Sequence, residues 1–194
     1  MKDFEFSFPT RVIFGRDAEG RAGELAAPFG PNVMLLYGSD RIRRSGLLER
    51  LTADLGGHGL TGPLVGGIQE NPLLSKAEAG RRLAREKKIT LLLAVGGGSV
   101  IDTAKAVSLG AKSTAPLWDI YSGKGKAQKA LPIGVVHTTA ATASEANSVS
   151  VLCHDELHLK VALEEPLTRP RFALMDPALT FSLPPRQTAS CGVD

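Results

Sequence analysis

The chain has 194 residues, 43% apolar and 22% charged, with 23 Lys and Arg against 20 Asp and Glu for a formal net charge of +3. That length suits one globular domain, or one domain and the start of another. The longest apolar run, residues 89–95, is far short of the roughly 20 residues of a membrane helix, and the acidic N-terminal segment has no signal-peptide pattern. Basic residues are scattered, and two Tyr with one Trp leave little to stack on bases, which argues against nucleic-acid binding. A cytoplasmic protein that binds neither membrane nor nucleic acid is the expectation. Cys153 and Cys191 lie far apart and outside any Cys-x-x-Cys spacing, so they read as reduced thiols rather than a disulfide or a zinc site.

Short β-rich runs alternate with helical stretches, the pattern of an α/β fold with a mainly parallel sheet. Residues 4–8 and 11–14 flank Pro9-Thr10 and read as an N-terminal β-hairpin, an edge through which two copies of the chain would pair. Residues 32–37 form a buried-type strand that turns at Gly38-Ser39-Asp40 into a helix carrying Ile42, Leu47, Leu48 and Leu51. Ser75 and Glu78 have capping-box spacing at the head of a helix running to about Lys88. Residues 89–95 are the clearest strand, followed by the glycine turn at 96–98 and an amphipathic helix to Gly110. Residues 131–136 read as another core strand, 148–153 and 159–163 as a pair, and 172–175 as a short strand ending at Asp176-Pro177. A last helix opens at Pro184-Pro185.

Two clusters carry chemistry. Gly96-Gly97-Gly98-Ser99 joins a strand to a helix N-terminus, where unpaired amides and the positive helix end suit a phosphate and glycine lets the backbone approach it. Isoleucine at 101 takes the place of the third glycine of the dinucleotide fingerprint, and Ser99 and Asp102 read equally as N-cap and N3 of the helix. The second cluster, His137 through Asn147 with Thr138, Thr139, Thr142 and Ser144, supplies hydroxyls for ribose or phosphate, although such residues are also ordinary in loops. His154 and His158 are spaced i, i+4 as on a metal-binding helix, but they lie between two β-rich runs and read as an exposed hairpin turn.

Together these motifs resemble the iron-containing (group III) alcohol dehydrogenases. The phosphate turn is similar to Gly96 through Lys105, the hydroxyl-rich cofactor loop to Thr138 through Glu145, and the domain junction to Asp176-Pro177, Leu183-Pro184-Pro185 and Gly192-Val193-Asp194. The resemblance implies a Rossmann-like dinucleotide domain over residues 1–183, with 184–194 as the start of an all-helical domain that is otherwise missing. In that family Fe²⁺ or Zn²⁺ is held by one Asp and three His; Asp194 matches the Asp, and His58, His137, His154 and His158 match none of the histidines. Carried over, Gly97, Gly98, Ser99 and Asp102 are pyrophosphate and nicotinamide-side contacts, Thr138 and Thr139 touch the adenosine half, Asn71 and Leu179 line its pocket, Lys160 reaches a ribose, and Asn147 is a polar contact. His137 departs from the proline common before the threonine pair, and Ala140, Ala141 and Ala143 depart from the usual small and glycine residues. No residue is singled out as catalytic.

Cofactor choice turns on the end of the strand at 32–37, where an acid would bond the ribose of NAD and repel the 2′-phosphate of NADP. Ser39 falls there, with Asp40 next and Arg41, Arg43 and Arg44 nearby, a set that leans toward NADP. The implied activity is hydride transfer between NAD(P)(H) and a small alcohol and its aldehyde or ketone, with this chain alone inactive. The alternatives are a non-catalytic nucleotide-binding or oligomerisation module, and a glycerol dehydrogenase or dehydroquinate synthase-like enzyme.

Overall fold

The computed structural model describes residues 8–193. Strand β1 (Arg11–Phe14) leads through a 3-10 turn at Ala18–Arg21 to α1 (Ala22–Ala26), and β2 (Val33–Tyr37) is followed by α2 (Arg41–Arg44), α3 (Leu47–Gly57) and β3 (Leu64–Val65). Helix α4 (Leu74–Glu86), β4 (Leu91–Gly96), α5 (Gly98–Lys112) and α6 (Leu117–Tyr121) precede β5 (Ile133–His137), β6 (Val149–His154), β7 (Leu159–Glu164), β8 (Phe172–Met175) and α7 (Pro185–Val193). The main sheet runs β1-β8-β5-β4-β2-β3, and each neighbouring pair is parallel. An α/β fold with a parallel sheet is what the alternating pattern predicts.

Every residue of β2, β4 and β5 is buried, as in strands covered on both faces. The period of two sorts their side chains: Met34, Leu36, Leu92, Ala94, Ile133 and Val135 pack under α4 and α5, whereas Val33, Leu35, Tyr37, Leu91, Leu93 and Val95 pack under α1 and α3. The chain therefore leaves β2 toward one face and β4 toward the other. Such a divergence opens a crevice at the C-terminal ends of the two strands.

Several expectations change in detail. The strand at 11–14 forms, but its partner is β8 in parallel, and the predicted hairpin mate at 4–7 lies outside the described residues. The pair at 148–153 and 159–163 is the antiparallel hairpin β6-β7, with His154 and His158 at its turn as read. The capping box at Ser75 does not form, because Leu73 is the N-cap of α4. Asp155, from the β6-β7 turn, instead accepts from the Ser75 amide at 3.2 Å and from its hydroxyl. A carboxylate supplied across 80 residues thus does the work expected of a local serine. Ser99 is likewise not the cap of α5; that position is Gly97, which makes no side-chain cap bond.

Gly134 is a steric necessity in this sheet. A Cβ there would sit 2.2 Å from the ring of Phe172, its cross-strand partner on β8, and that ring is only 2% exposed. Replacing Gly134 with Ala should cost about 1–3 kcal/mol through overpacking, read as a lower urea midpoint at unchanged slope. Adding Phe172→Leu should return part of the loss, and an unchanged midpoint in the single variant would show that the ring moves aside freely.

Candidate functional site

A cleft of about 940 Å³ lies over the C-terminal ends of the strands. Its two lips are the turn after β2, with Gly38, Ser39 and Arg41, and the turn after β4, with Gly96, Gly97, Gly98 and Ser99. Thr138 and Thr139, just beyond β5, line it as well, and Leu179, Ser182 and Leu183 close one side.

The glycine turn is shaped by two constraints. Gly96 has φ of 157°, and a Cβ on it would fall 2.7 Å from the Val100 side chain, so the strand can pass into α5 within one residue only as glycine. A Cβ on Gly98 would meet nothing within 4 Å, which means that position faces the open cleft. A Cβ on Gly97 would be 3.5 Å from Thr139, so the turn and the threonine pair stand in contact range. The first amides of the 15-residue α5 have no acceptor within the helix and point outward with its positive end.

Of the residues predicted from sequence, Ser39, Gly97, Gly98, Ser99, Thr138, Thr139 and Leu179 come together around the cleft. The others do not line it. Asp102 is bonded to the segment after β5 and to β6, accepting from the Ser144 hydroxyl at 2.7 Å and the Val151 amide at 3.0 Å; burial raises its pKa against those two hydrogen bonds. Asn147 accepts from the Lys105 ammonium at 2.9 Å and donates to the Thr142 carbonyl at 3.0 Å. Asn71, at φ of 57°, accepts from Lys160 at 2.9 Å, so these two form a pair of their own beside the hairpin. Asp194 lies outside the described residues.

Among the arginines after β2, Arg41 lines the cleft and donates to the Ser182 hydroxyl on the far side. Arg43 is held by Tyr37, donating to its hydroxyl at 3.1 Å with the guanidinium 5.8 Å from the ring centre.

Three features escape a reading of sequence. Lys105 is wholly buried in α5 and donates to Ser144, Asn147 and the Val149 carbonyl. His137, at the end of β5, has Nδ1 3.4 Å from Glu145, outside hydrogen-bond geometry, which leaves that buried carboxylate oxygen without a hydrogen-bond partner among the described residues. Asp17, Glu19 and Asp176 bring carboxylate oxygens within 4.8 Å of one another at the cleft wall. Arg50 pairs with Glu19 at 2.9 Å, and both oxygens of Asp176 accept backbone amides, from Asp17 and Ala178.

The family model for iron-containing alcohol dehydrogenases matches residues 9–177. This chain belongs to that family. It is 42% identical over 194 residues to a probable NADH-dependent butanol dehydrogenase 1 of Bacillus subtilis, covering 100% of this chain and 50% of that protein. It is 36% identical over 197 residues to the NADPH-dependent aldehyde reductase YqhD of Escherichia coli, again covering 100% and 50%. The crystal structure of an NADH-dependent butanol dehydrogenase A from Thermotoga maritima superposes with a TM-score of 0.96 at 36% identity, covering 100% of this chain and 49% of that one. The chain thus spans about half the length of the relatives it matches. No described helix is long and apolar enough to cross a membrane.

The family's name implies iron, and the described residues do not assemble a site of one Asp and three His for it. His58 sits beside the Asp54 carbonyl, His137 beside Glu145, and the His154 ring packs edge-on to Trp118. The one cluster of metal-ligating type among the described residues is all carboxylate, with one Glu19 oxygen paired to Arg50 and both Asp176 oxygens bonded to backbone amides. No chemical step is assigned to a metal here.

Burial holds the His137 pKa below its ordinary 6.5 despite the pull of Glu145. A histidine depressed in the folded state stabilises the protein fully above 6.5 and loses that contribution as pH falls toward its folded value. Wild type should therefore lose more stability than His137→Asn between neutral pH and about pH 5.5, by chemical denaturation at each pH. Equal losses would place the acid sensitivity elsewhere.

Proposed function

We propose that this chain is the dinucleotide-binding part of an NAD(P)-dependent alcohol or aldehyde oxidoreductase, with residues 1–183 as the cofactor domain and 184–194 as the beginning of the next. The observation that carries this reading is the glycine turn at the head of α5, with Thr139 against it, lining a cleft at the point where the chain switches faces of the sheet. Small side chains, helix amides and hydroxyls are the groups a pyrophosphate and its riboses need. The bound dinucleotide supplies or accepts a hydride. In this reading Gly97, Gly98 and Ser99 hold the pyrophosphate, Thr138, Thr139 and Leu179 flank the adenosine half, and Ser39 sits at its ribose. Asn71, Lys160, Asp102 and Asn147 act from outside the cleft wall. Asp194 takes the place of the family's metal-binding Asp.

NADPH is favoured over NADH, because the one arginine of its group that lines the cleft, Arg41, is a charge-assisted donor for a 2′-phosphate. Asp40, which would repel that phosphate, is absent from the cleft lining. The substrate class is a small alcohol and its aldehyde or ketone, in the cytoplasm. Pairing of two copies would use the N-terminal edge, where Val12 and Phe14 on β1 are 43% and 73% exposed.

Titration with NADPH and NADH, following nicotinamide fluorescence, tests the reading directly. Gly98→Val should lower dinucleotide affinity at least about tenfold while leaving the melting temperature unchanged, since its side chain would project into the cleft and not into the core. Normal affinity in that variant would put the phosphates elsewhere. Arg41→Ala should weaken NADPH by about tenfold or more and leave NADH nearly unaffected; equal effects on both would remove the basis for the NADPH preference.

A further inference from the structure

Lys105 is the one charged residue between Asp102 and Lys112 of α5, and its side chain is 0% exposed. An ammonium in that setting is costly unless its three protons are met. They are met by Ser144 Oγ at 2.9 Å, Asn147 Oδ1 at 2.9 Å and the Val149 carbonyl at 2.7 Å, the first two at the far end of the loop that begins with Thr138 and the third at the start of β6. Asn147 carries the restraint back along that loop through its bond to Thr142 and through its amide, which donates to the Ala143 carbonyl at 3.0 Å. Ala143 itself sits at φ of 57°, a conformation that alanine does not hold without help. At the near end, the Thr138 amide donates to the Gly96 carbonyl at 3.2 Å. The loop is therefore tied at one end to the glycine turn and at the other to the helix which that turn begins.

We infer that Lys105 is a positioning residue for the dinucleotide: from inside α5 it fixes the geometry of loop 138–147, and so the placement of Thr138 and Thr139 opposite the glycine turn. This rests on the dinucleotide reading above. Lys105 does not touch the cleft; it acts through Ser144 and Asn147.

The groups facing the ammonium make it sensitive to pH. Burial pulls its pKa down to about 8, against the attraction of Asp102 on its own helix and Glu145 on the loop, with Arg169 near β8 adding to the fall. His137 reaches it only through Glu145, and Tyr121 of α6 feels Asp102. Above about pH 8 the neutral amine has two protons for three acceptors, and the loop loses one tie. The unfolded chain meanwhile holds the proton up to about 10.5. The contribution of Lys105 to global stability thus rises between about 8 and 10.5 while loop order falls.

The test compares wild type, Lys105→Met and Ser144→Ala in the full chain. It measures NADPH affinity by fluorescence from pH 7 to 9.5, amide exchange at Ala146 and Asn147, and melting temperature. Lys105→Met should weaken NADPH about tenfold at pH 7 and accelerate both amides, with a lower melting temperature because the acceptors on Ser144, Asn147 and Val149 lose their donor and Asp102 its cation. Wild-type affinity should fall as pH passes about 8, and the Met variant should show no such inflection. Ser144→Ala should shift affinity and exchange in the same direction by less, and it keeps the question open to measurement if the Met variant folds poorly. Unchanged exchange in both variants, or unchanged affinity with an intact wild-type inflection, overturns the inference. Failure of wild type to bind either dinucleotide would instead sink the functional reading and the ligand half of this one, while faster exchange in the variants would still establish Lys105 as the anchor of the loop.

Discussion

The cleft depends on one constraint: β2 and β4 are buried on both faces, yet the chain must leave them in opposite directions. A strand covered on both sides has no room for a gradual exit, so each turn begins at the last residue of the sheet. After β4, the φ of Gly96 and the 2.7 Å approach of Val100 to its missing side chain leave no other residue for the position. After β2, a Cβ on Gly38 would lie 3.3 Å from the Ile68 carbonyl, a milder form of the same crowding. Glycine at the lips is first a consequence of the sheet, and the open backbone that results is what makes the lips usable by a ligand.

The same economy governs α5. Val100, Ile101, Ala104, Val107 and Leu109 are buried on different sides of it, as in a helix enclosed by the protein. A Cβ on Gly80 of α4 would come 2.7 Å from Val107, so the two helices approach closely. Its polar members are satisfied internally: Thr103 bonds the Ser99 carbonyl at 2.8 Å, and Ser108 the Leu131 carbonyl. A helix held this firmly fixes the direction of its first amides by core packing, not by the flexibility of a surface turn. Electrostatic binding to those amides then needs little reorganisation.

The strands of four residues or more, α3 to α5 and the glycine turn were legible because apolar periodicity and glycine act locally. What was not legible came from distant partners. Ser75 looked like a cap until Asp155 supplied the carboxylate from the β6-β7 turn, and α1, α6 and β3, of five, five and two residues, are too short for periodicity to mark. The hydroxyl-rich loop was found, but Thr138 and Thr139 turn to the cleft whereas Ser144 and Asn147 turn inward to Lys105. Hydroxyl content cannot distinguish the two directions. Lys105 did leave a trace: a single charge in the otherwise uncharged run from Thr103 to Ala111 is where a buried, paired cation would be sought.

Charge at the cleft is divided so that an anion is not turned away. The wall at Asp17, Glu19 and Asp176 would repel phosphates if its carboxylates were bare. Arg50 pairs with Glu19, and the amides of Asp17 and Ala178 occupy Asp176, so two of the three carboxylates meet positive or polar partners. Arg41 then stands at the opposite lip, paired with no carboxylate among the described residues and joined to the neutral hydroxyl of Ser182. A guanidinium bound to a hydroxyl exchanges that partner for a phosphate at small cost, because the incoming bonds are charge-assisted and the outgoing one is not. The sign of the field at that lip is therefore set less by the number of charges around the cleft than by which of them already have partners.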